Sequence, residues 1–173
     1  MIADRMQGFE ASGIRKVFDL AQKIKNPINL SIGQPDFDVP DEIKQEAVRA
    51  IESGFNRYTI TQGIPELSEK VLQKVKTEQD IICNSIMITS GVAGALTLAF
   101  LVLINPGDEI LVPDPYFVSF KHLIKFCGGD IKYIDTYPDF ELTPDRVLSS
   151  ISSRSKFLLI NSPSNPTRVV FKP

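Results

Sequence analysis

Residues 109–134 begin Glu109-Ile110-Leu111-Val112-Pro113-Asp114-Pro115-Tyr116-Phe117, continue through Val118 to Phe126, and close on Asp130-Ile131-Lys132-Tyr133-Ile134. The short apolar run Glu109 to Val112 reads as a buried strand and the proline-rich stretch after it as a turn. Val118 to Phe126 has helical spacing, and Asp130 to Ile134 reads as a second strand. A strand, a helix and a strand in this order predict a parallel pair. Working outward, the same alternation continues on both sides. Ile86-Met87-Ile88-Thr89 reads as a buried strand and Val92 to Leu103 as a helix; Pro144 to Ile151 reads as a helix and Lys156 to Ile160 as a strand. The fold class that follows is α/β, a doubly wound and mostly parallel sheet flanked by helices. Only four strands fall after residue 85, and no covering helix follows the last, so the sheet is expected to be incomplete.

The amino-terminal part is less regular. Residues 12 to 25 put Ile14, Val17, Phe18, Ala21 and Ile24 on one helical face, with Ser12 placed to cap it. Asn29 to Ile32 reads as a short extended piece, and residues 33 to 40 as an ordered loop with two prolines. Asp41 is placed to cap a helix carrying Ile43, Ala47, Val48 and Ile51, which Gly54 ends. A further helix is expected from Pro65 to about Lys76, with proline at its first position. Neither internal repeats nor low-complexity segments interrupt the chain.

Composition narrows the function classes. The chain has 173 residues, 43% hydrophobic and 23% charged, enough for one soluble core. A net charge of −2 and a pI near 5.5 give no electrostatic reason to expect nucleic acid or an anionic membrane. The longest apolar run, Leu98 to Ile104, is too short to span a bilayer, and Met1 to Arg5 carries no apolar signal core. Cys83 and Cys127 stand apart without metal-ligand spacing, so no metal site is expected, and two lone thiols fit a reducing cytoplasm.

Chemistry in such a sheet is expected beyond the carboxyl ends of the strands. Three of the four ends are unusual. The first runs into Ser90-Gly91-Val92-Ala93-Gly94-Ala95, where small residues at a helix start suit a phosphate; close packing is an equal reading of the same residues. It lacks the Gly-x-Gly-x-x-Gly order of a dinucleotide-binding turn. The second carries Tyr116 and Phe117, either core aromatics or a ring to stack on a flat ligand. The third is Asn161-Ser162-Pro163-Ser164-Asn165-Pro166-Thr167, where Asn165 can both donate and accept a hydrogen bond and Pro166 fixes the turn.

Together with Ser31-Ile32-Gly33-Gln34-Pro35-Asp36-Phe37 and Tyr58-Thr59-Ile60-Thr61-Gln62-Gly63-Ile64-Pro65-Glu66-Leu67, these elements make five ordered motifs from residue 31 to 167. The chain resembles the amino-terminal part of the class I and II (fold type I) aminotransferases, which use pyridoxal phosphate. The resemblance implies residues 1–40 as an N-terminal arm and the start of a small domain, and residues 41–173 as the first part of the cofactor-binding large domain. It also implies that Gly91, Val92 and Ala93 hold the cofactor phosphate, that Phe117 stacks on the pyridine ring, and that Asn165 meets the ring hydroxyl. By the same resemblance Gly33 approaches the substrate carboxylate, and Tyr58 reaches the phosphate of a neighbouring subunit, which implies a homodimer or pairing with another chain. The complete enzyme would move an amino group between an amino acid and a 2-oxo acid.

Departures from the family pattern shape the expectation for this polypeptide. Arg168 stands where the family usually has glycine, at a position that suits left-handed backbone. No Schiff-base lysine, pyridine-binding aspartate or carboxylate-binding arginine follows the turn. The 173 residues alone are therefore expected to be inactive and to bind the cofactor weakly or not at all. A second reading is a non-catalytic pseudoenzyme or partner-dependent fragment that binds a phosphate ligand or a full-length homologue. Ser153-Arg154-Ser155-Lys156 begins a strand, away from the expected crevice, and reads as surface charge. His122, the only histidine, reads as a partly exposed helix residue.

Overall fold

The computed structural model describes residues 2–6, 9, 13, 17, 20–28, 33 and 35–172. Packing separates two compact units, one of residues 13–90 and one of residues 91–173 joined by a short amino-terminal stretch.

The first unit includes the helices α1 (Asp41–Glu52) and α2 (Pro65–Gln79). Asp41 is not the cap: Pro40 holds that position without a side-chain cap, and Asp41 is the first helical residue. Its carboxylate acts on the positive helix end instead and meets Lys44 at 3.3 Å. Lys44 also pairs with Asp38 at 2.5 Å, and that contact, aided by the Val39 N–H, holds the Asp38 carboxyl below its ordinary range. Gly54 does end α1. At φ +79° it lets Gly54 N donate to Ile51 O and Phe55 N to Ala50 O, which satisfies carbonyls the last turn would leave bare. Pro65 opens α2 as expected, and the helix runs one turn further, to a left-handed Asp80.

Two expectations in this unit change. Of the helix expected over 12–25, Gly13, Val17, Leu20 and Ala21 are helical, and Ile24 lies in a bend. Ser12, Ile14, Phe18 and the extended piece at 29–32 lie outside the described residues. The strand expected at Ile86 to Thr89 is not a strand: Ile88 N donates to Gln62 O in a loop, and no ladder forms. An apolar β-branched run becomes a strand only where a neighbouring strand accepts its backbone groups.

The second unit is the predicted α/β layer. Its order is α3 (Gly91–Leu103), β1 (Glu109–Asp114), α4 (Ser119–Phe126), β2 (Asp130–Asp135), α5 (Pro144–Ser150) and β3 (Ser155–Leu158). The sheet has three parallel strands in the order β2-β1-β3, with Ile110 opposite Ile131 and Phe157. β1 is central, and its residues 109–113 are all buried, which explains its unbroken apolar run. Phe100 from α3, Ile104 just after it and Ile124 from α4 close over Ile110 and Val112, with Leu96, Leu123, Ile131 and Phe157 around them. Burial of each such Ile or Val contributes about 2 kcal/mol. Gly129 marks the tightest point, since a Cβ there would meet Ile110 Cδ1 at 2.7 Å and Ile104 and Ile124 at 3.1 Å.

The strand beginnings carry charge. The Glu109 carboxylate, buried, accepts from Arg154 at 2.5 Å and from the Ser152 hydroxyl at 2.5 Å. Arg154 also pairs with Asp130 at 3.4 Å, and Lys156 with Asp108 at 3.6 Å. The segment Ser153 to Lys156 is thus surface charge at the strand start, as read. His122 is half-buried on α4, its ring 5.4 Å from that of Phe9.

Candidate functional site

A cleft opens beyond the carboxyl ends of β1 and β3. Tyr116 and Phe117 line it from the turn after β1, and Asn161, Ser164 and Asn165 from the turn after β3, with Phe171 and Phe120 also on its walls. Among the described residues no charged side chain lines it.

Each wall is built by local bonding. On the β1 side the Asp114 carbonyl accepts from the Thr136 hydroxyl at 2.6 Å and from the Thr136 N–H at 3.3 Å. Arg146 of α5 in turn ties down the loop after β2. It donates to the carbonyls of Thr136, Tyr137 and Glu141 and to Asp139 Oδ1 at 2.6 Å. This guanidinium holds the exposed Asp139 carboxyl below its usual range. Tyr116 stacks on Tyr133 of β2, with ring centroids 5.3 Å apart and the two hydroxyls 3.1 Å apart. Partial burial, then the bond to Tyr133, then the Asp114 charge push the Tyr116 phenol up to about 12. Phe117 meets Phe120 edge to face at 5.6 Å.

On the β3 side the chain leaves the strand after Leu159 N donates to Leu111 O, then folds back on itself. Ser164 N donates to Val169 O at 2.9 Å and Arg168 N to Ser164 O at 2.7 Å, closing a turn around Asn165-Pro166-Thr167. Arg168 sits at φ +61°, the left-handed backbone expected of this position. The Phe171 N–H reaches the Ser162 hydroxyl at 3.1 Å. The Asn165 side chain is exposed and makes no hydrogen bond among the described residues.

Of the residues singled out in the sequence, Phe117 and Asn165 therefore share one cleft. Gly91, Val92 and Ala93 do not line it; they form the exposed first turn of α3, with Gly91 at φ +68°. The far end of α3 leads to Ile104, beside Gly129 and Ile110 at the strand starts. Tyr58 and Gly33 belong to the other unit. Tyr58 is fully exposed on a hollow between the end of α1 and the start of α2, and Gly33 has open space where a Cβ would stand. Tyr133, Thr136 and Ser164 were not singled out; Tyr133 would have required knowing that β2 neighbours β1 at Val112.

The profile of the family described as "Aminotransferase class I and II" matches residues 25–173. The chain belongs to the aminotransferase class I and II family. It is 41% identical over 173 residues to a probable aspartate aminotransferase of Methanocaldococcus jannaschii, covering 99% of this chain and 46% of that protein. An aromatic-amino-acid aminotransferase of Thermococcus litoralis is 36% identical over 174 residues, 98% of this chain and 45% of that one. Among solved structures, the aspartate aminotransferase of Rhizobium meliloti superposes with a TM-score of 0.91 at 32% identity, over 99% of this chain and 45% of that chain. The chain thus spans under half the length of these relatives. Aminotransferases of this class use pyridoxal phosphate and act on amino acids and 2-oxo acids. No helix among the described residues is long and apolar enough to cross a membrane.

Proposed function

We propose that residues 41–173 are the first part of the pyridoxal-phosphate-binding large domain of an aminotransferase, and residues 1–40 its N-terminal arm and the start of its small domain. The complete enzyme, a cytoplasmic homodimer, transfers an amino group between an amino acid and a 2-oxo acid. One observation carries this reading: Phe117 and Asn165, on turns after two adjacent parallel strands, line the same uncharged cleft. Aromatic rings on one wall and the Asn165 amide on the other are the partners a flat heteroaromatic ring with a polar substituent needs. Because the space between them is about 10 Å³, room for a single water, binding such a ring requires the two turns to part.

In this reading Phe117 lies against the ring face and excludes water from it. Asn165 offers its amide to the ring oxygen, as donor or acceptor according to the charge there. The first-turn amides of Gly91, Val92 and Ala93 meet the phosphate, where the helix end favours an anion. Gly33 lets the backbone approach the substrate carboxylate, and Tyr58, fully exposed, extends to the phosphate held by a second subunit. Pyridoxal phosphate, when bound, supplies the electron sink on which amino-group transfer depends. The relatives are named for aspartate and for aromatic amino acids, so the substrate class is stated here only as an amino acid.

Among the described residues no lysine lines the cleft. Residues 1–173 alone are expected to give no turnover with pyridoxal phosphate, an amino acid and 2-oxoglutarate, and sustained turnover would refute that. A chimera joining residues 1–173 to the unmatched remainder of the Methanocaldococcus jannaschii relative is expected to transaminate. A folded chimera with no activity and no bound cofactor would sink the reading. The exposed Tyr58 and the largely apolar, solvent-facing α3 also favour a second reading, a non-catalytic chain that pairs with a full-length homologue. Under that reading light scattering would find a complex between the two proteins.

A further inference from the structure

The turn that presents Phe117 is held from the neighbouring strand by groups to which no role toward a ligand has been given above. Tyr133 stands opposite Val112 in the β1–β2 ladder, yet its ring reaches past the end of β1 to Tyr116, 5.3 Å away between centroids and 24° from parallel. The two hydroxyls lie 3.1 Å apart, so each phenol fixes the other in direction as well as in plane. One residue further along stands Phe117. Two residues before Tyr116, the Asp114 carbonyl is fixed by Thr136, also from the β2 side. Both flanks of the turn are therefore anchored to the β2 edge, and Tyr133 supplies the anchor nearest Phe117.

We infer that Tyr133 is a positioning residue: by stacking on and hydrogen bonding Tyr116, it fixes the turn that holds the Phe117 ring at the cleft. The inference rests on the reading of Phe117 as a ring that stacks on the cofactor, and it concerns rigidity of that ring rather than contact with the ligand. The raised phenol of Tyr116 is consistent with a hydrogen bond formed between two neutral phenols. A ring held in place before binding loses less freedom on binding, so affinity for a flat ligand depends on the Tyr133 contact.

The chain contains no tryptophan, so Phe117→Trp introduces a single fluorescent reporter at the position in question. In the full 173-residue chain carrying this reporter, Tyr133→Leu is expected to lower the anisotropy of the indole and to weaken quenching by pyridoxal phosphate about threefold to tenfold. Tyr133→Phe keeps the ring and removes the hydroxyl. It is expected to retain most of the anisotropy while the raised Tyr116 titration moves down only in part, because burial, the larger cause of its rise, remains. Unchanged anisotropy and quenching in Tyr133→Leu would overturn the inference, as would an unmoved titration in Tyr133→Phe. Should Tyr133→Leu not fold, the titration and the anisotropy of Tyr133→Phe decide alone. Absence of any quenching in the parent reporter chain is compatible with the weak or absent cofactor binding expected of residues 1–173 alone, and the anisotropy and the titration then judge Tyr133.

Discussion

The two ends of the three-stranded sheet are built on opposite principles. Where the strands begin, charges are paired: Glu109 is buried under Arg154 and Ser152, and Lys156 faces Asp108. Where they end, the cleft is lined without a charged side chain, and the Asn165 amide is left unpaired among the described residues. A buried carboxylate must be satisfied or the fold suffers, so the first end is committed to stability. The exposed Asn165 amide makes no contact that the fold depends on, so the turn can lose it without cost to stability. The contrast separates stability from function within a single layer, and each end can be damaged without the other.

The largest effect is expected at the cleft. In an active chimera, Asn165→Ala should lower kcat/KM by about 100-fold, the usual cost of removing one polar partner at a reacting group. Its melting temperature should stay within a degree or two of the parent's, and a large thermal loss would erase the distinction between the ends. At the strand starts the order reverses. Arg154→Ala leaves the buried Glu109 with Ser152 alone and should cost about 2 kcal/mol in urea unfolding of the 173-residue chain. In the chimera the same change should leave kcat/KM unaltered per folded molecule.

Smaller effects sharpen the picture. Arg168 holds a left-handed backbone at the turn, so Arg168→Gly should stabilise by about 0.5 kcal/mol, the relief of strain less the entropy glycine adds to the unfolded chain. A loss of stability there would mean that the Arg168 side chain contributes a contact of its own. The subtlest test is the pH dependence. Tyr116 has a folded value of about 12 against an ordinary value near 10, so its contribution is whole below about pH 10 and fades as pH rises toward 12. The denaturation midpoint of the parent should fall relative to Tyr116→Phe across that window. Asp139 behaves in the opposite sense: its carboxyl is held low by Arg146, so its contribution is present above the ordinary carboxyl range and is lost as the solution is acidified.

Much of this architecture is readable from residue order. β1, α4 and β2 follow directly from Glu109 to Ile134, because a buried parallel strand is apolar without interruption and a helix repeats its apolar face at 3.6 residues. Ile86 to Thr89 shows where such reading fails. Its four residues look like β1, but strand formation needs a partner on the ladder, and local propensity carries no information about who stands next door. Asp41 fails for a related reason, since Pro40 already has the extended backbone of a cap and leaves the aspartate to begin the helix. Asn165 and Phe117 were recognisable as candidates from their turns, whereas Tyr133 was not, because nothing in its own neighbourhood points to Tyr116.

The amino-acid order by itself determined the parallel α/β layer and the proline-bearing turns that follow its strands. Those are consequences of short-range chemistry: apolar period, proline and glycine geometry, and side chains matched to local backbone. Only the tertiary structure decided that β3 lies beside β1, so that Phe117 and Asn165, 48 positions apart by subtraction of their numbers, line one cleft. It also decided that Tyr133 crosses to Tyr116. Such contacts are set by which strands pair and in what register, and that is a property of the whole sheet rather than of any segment in it.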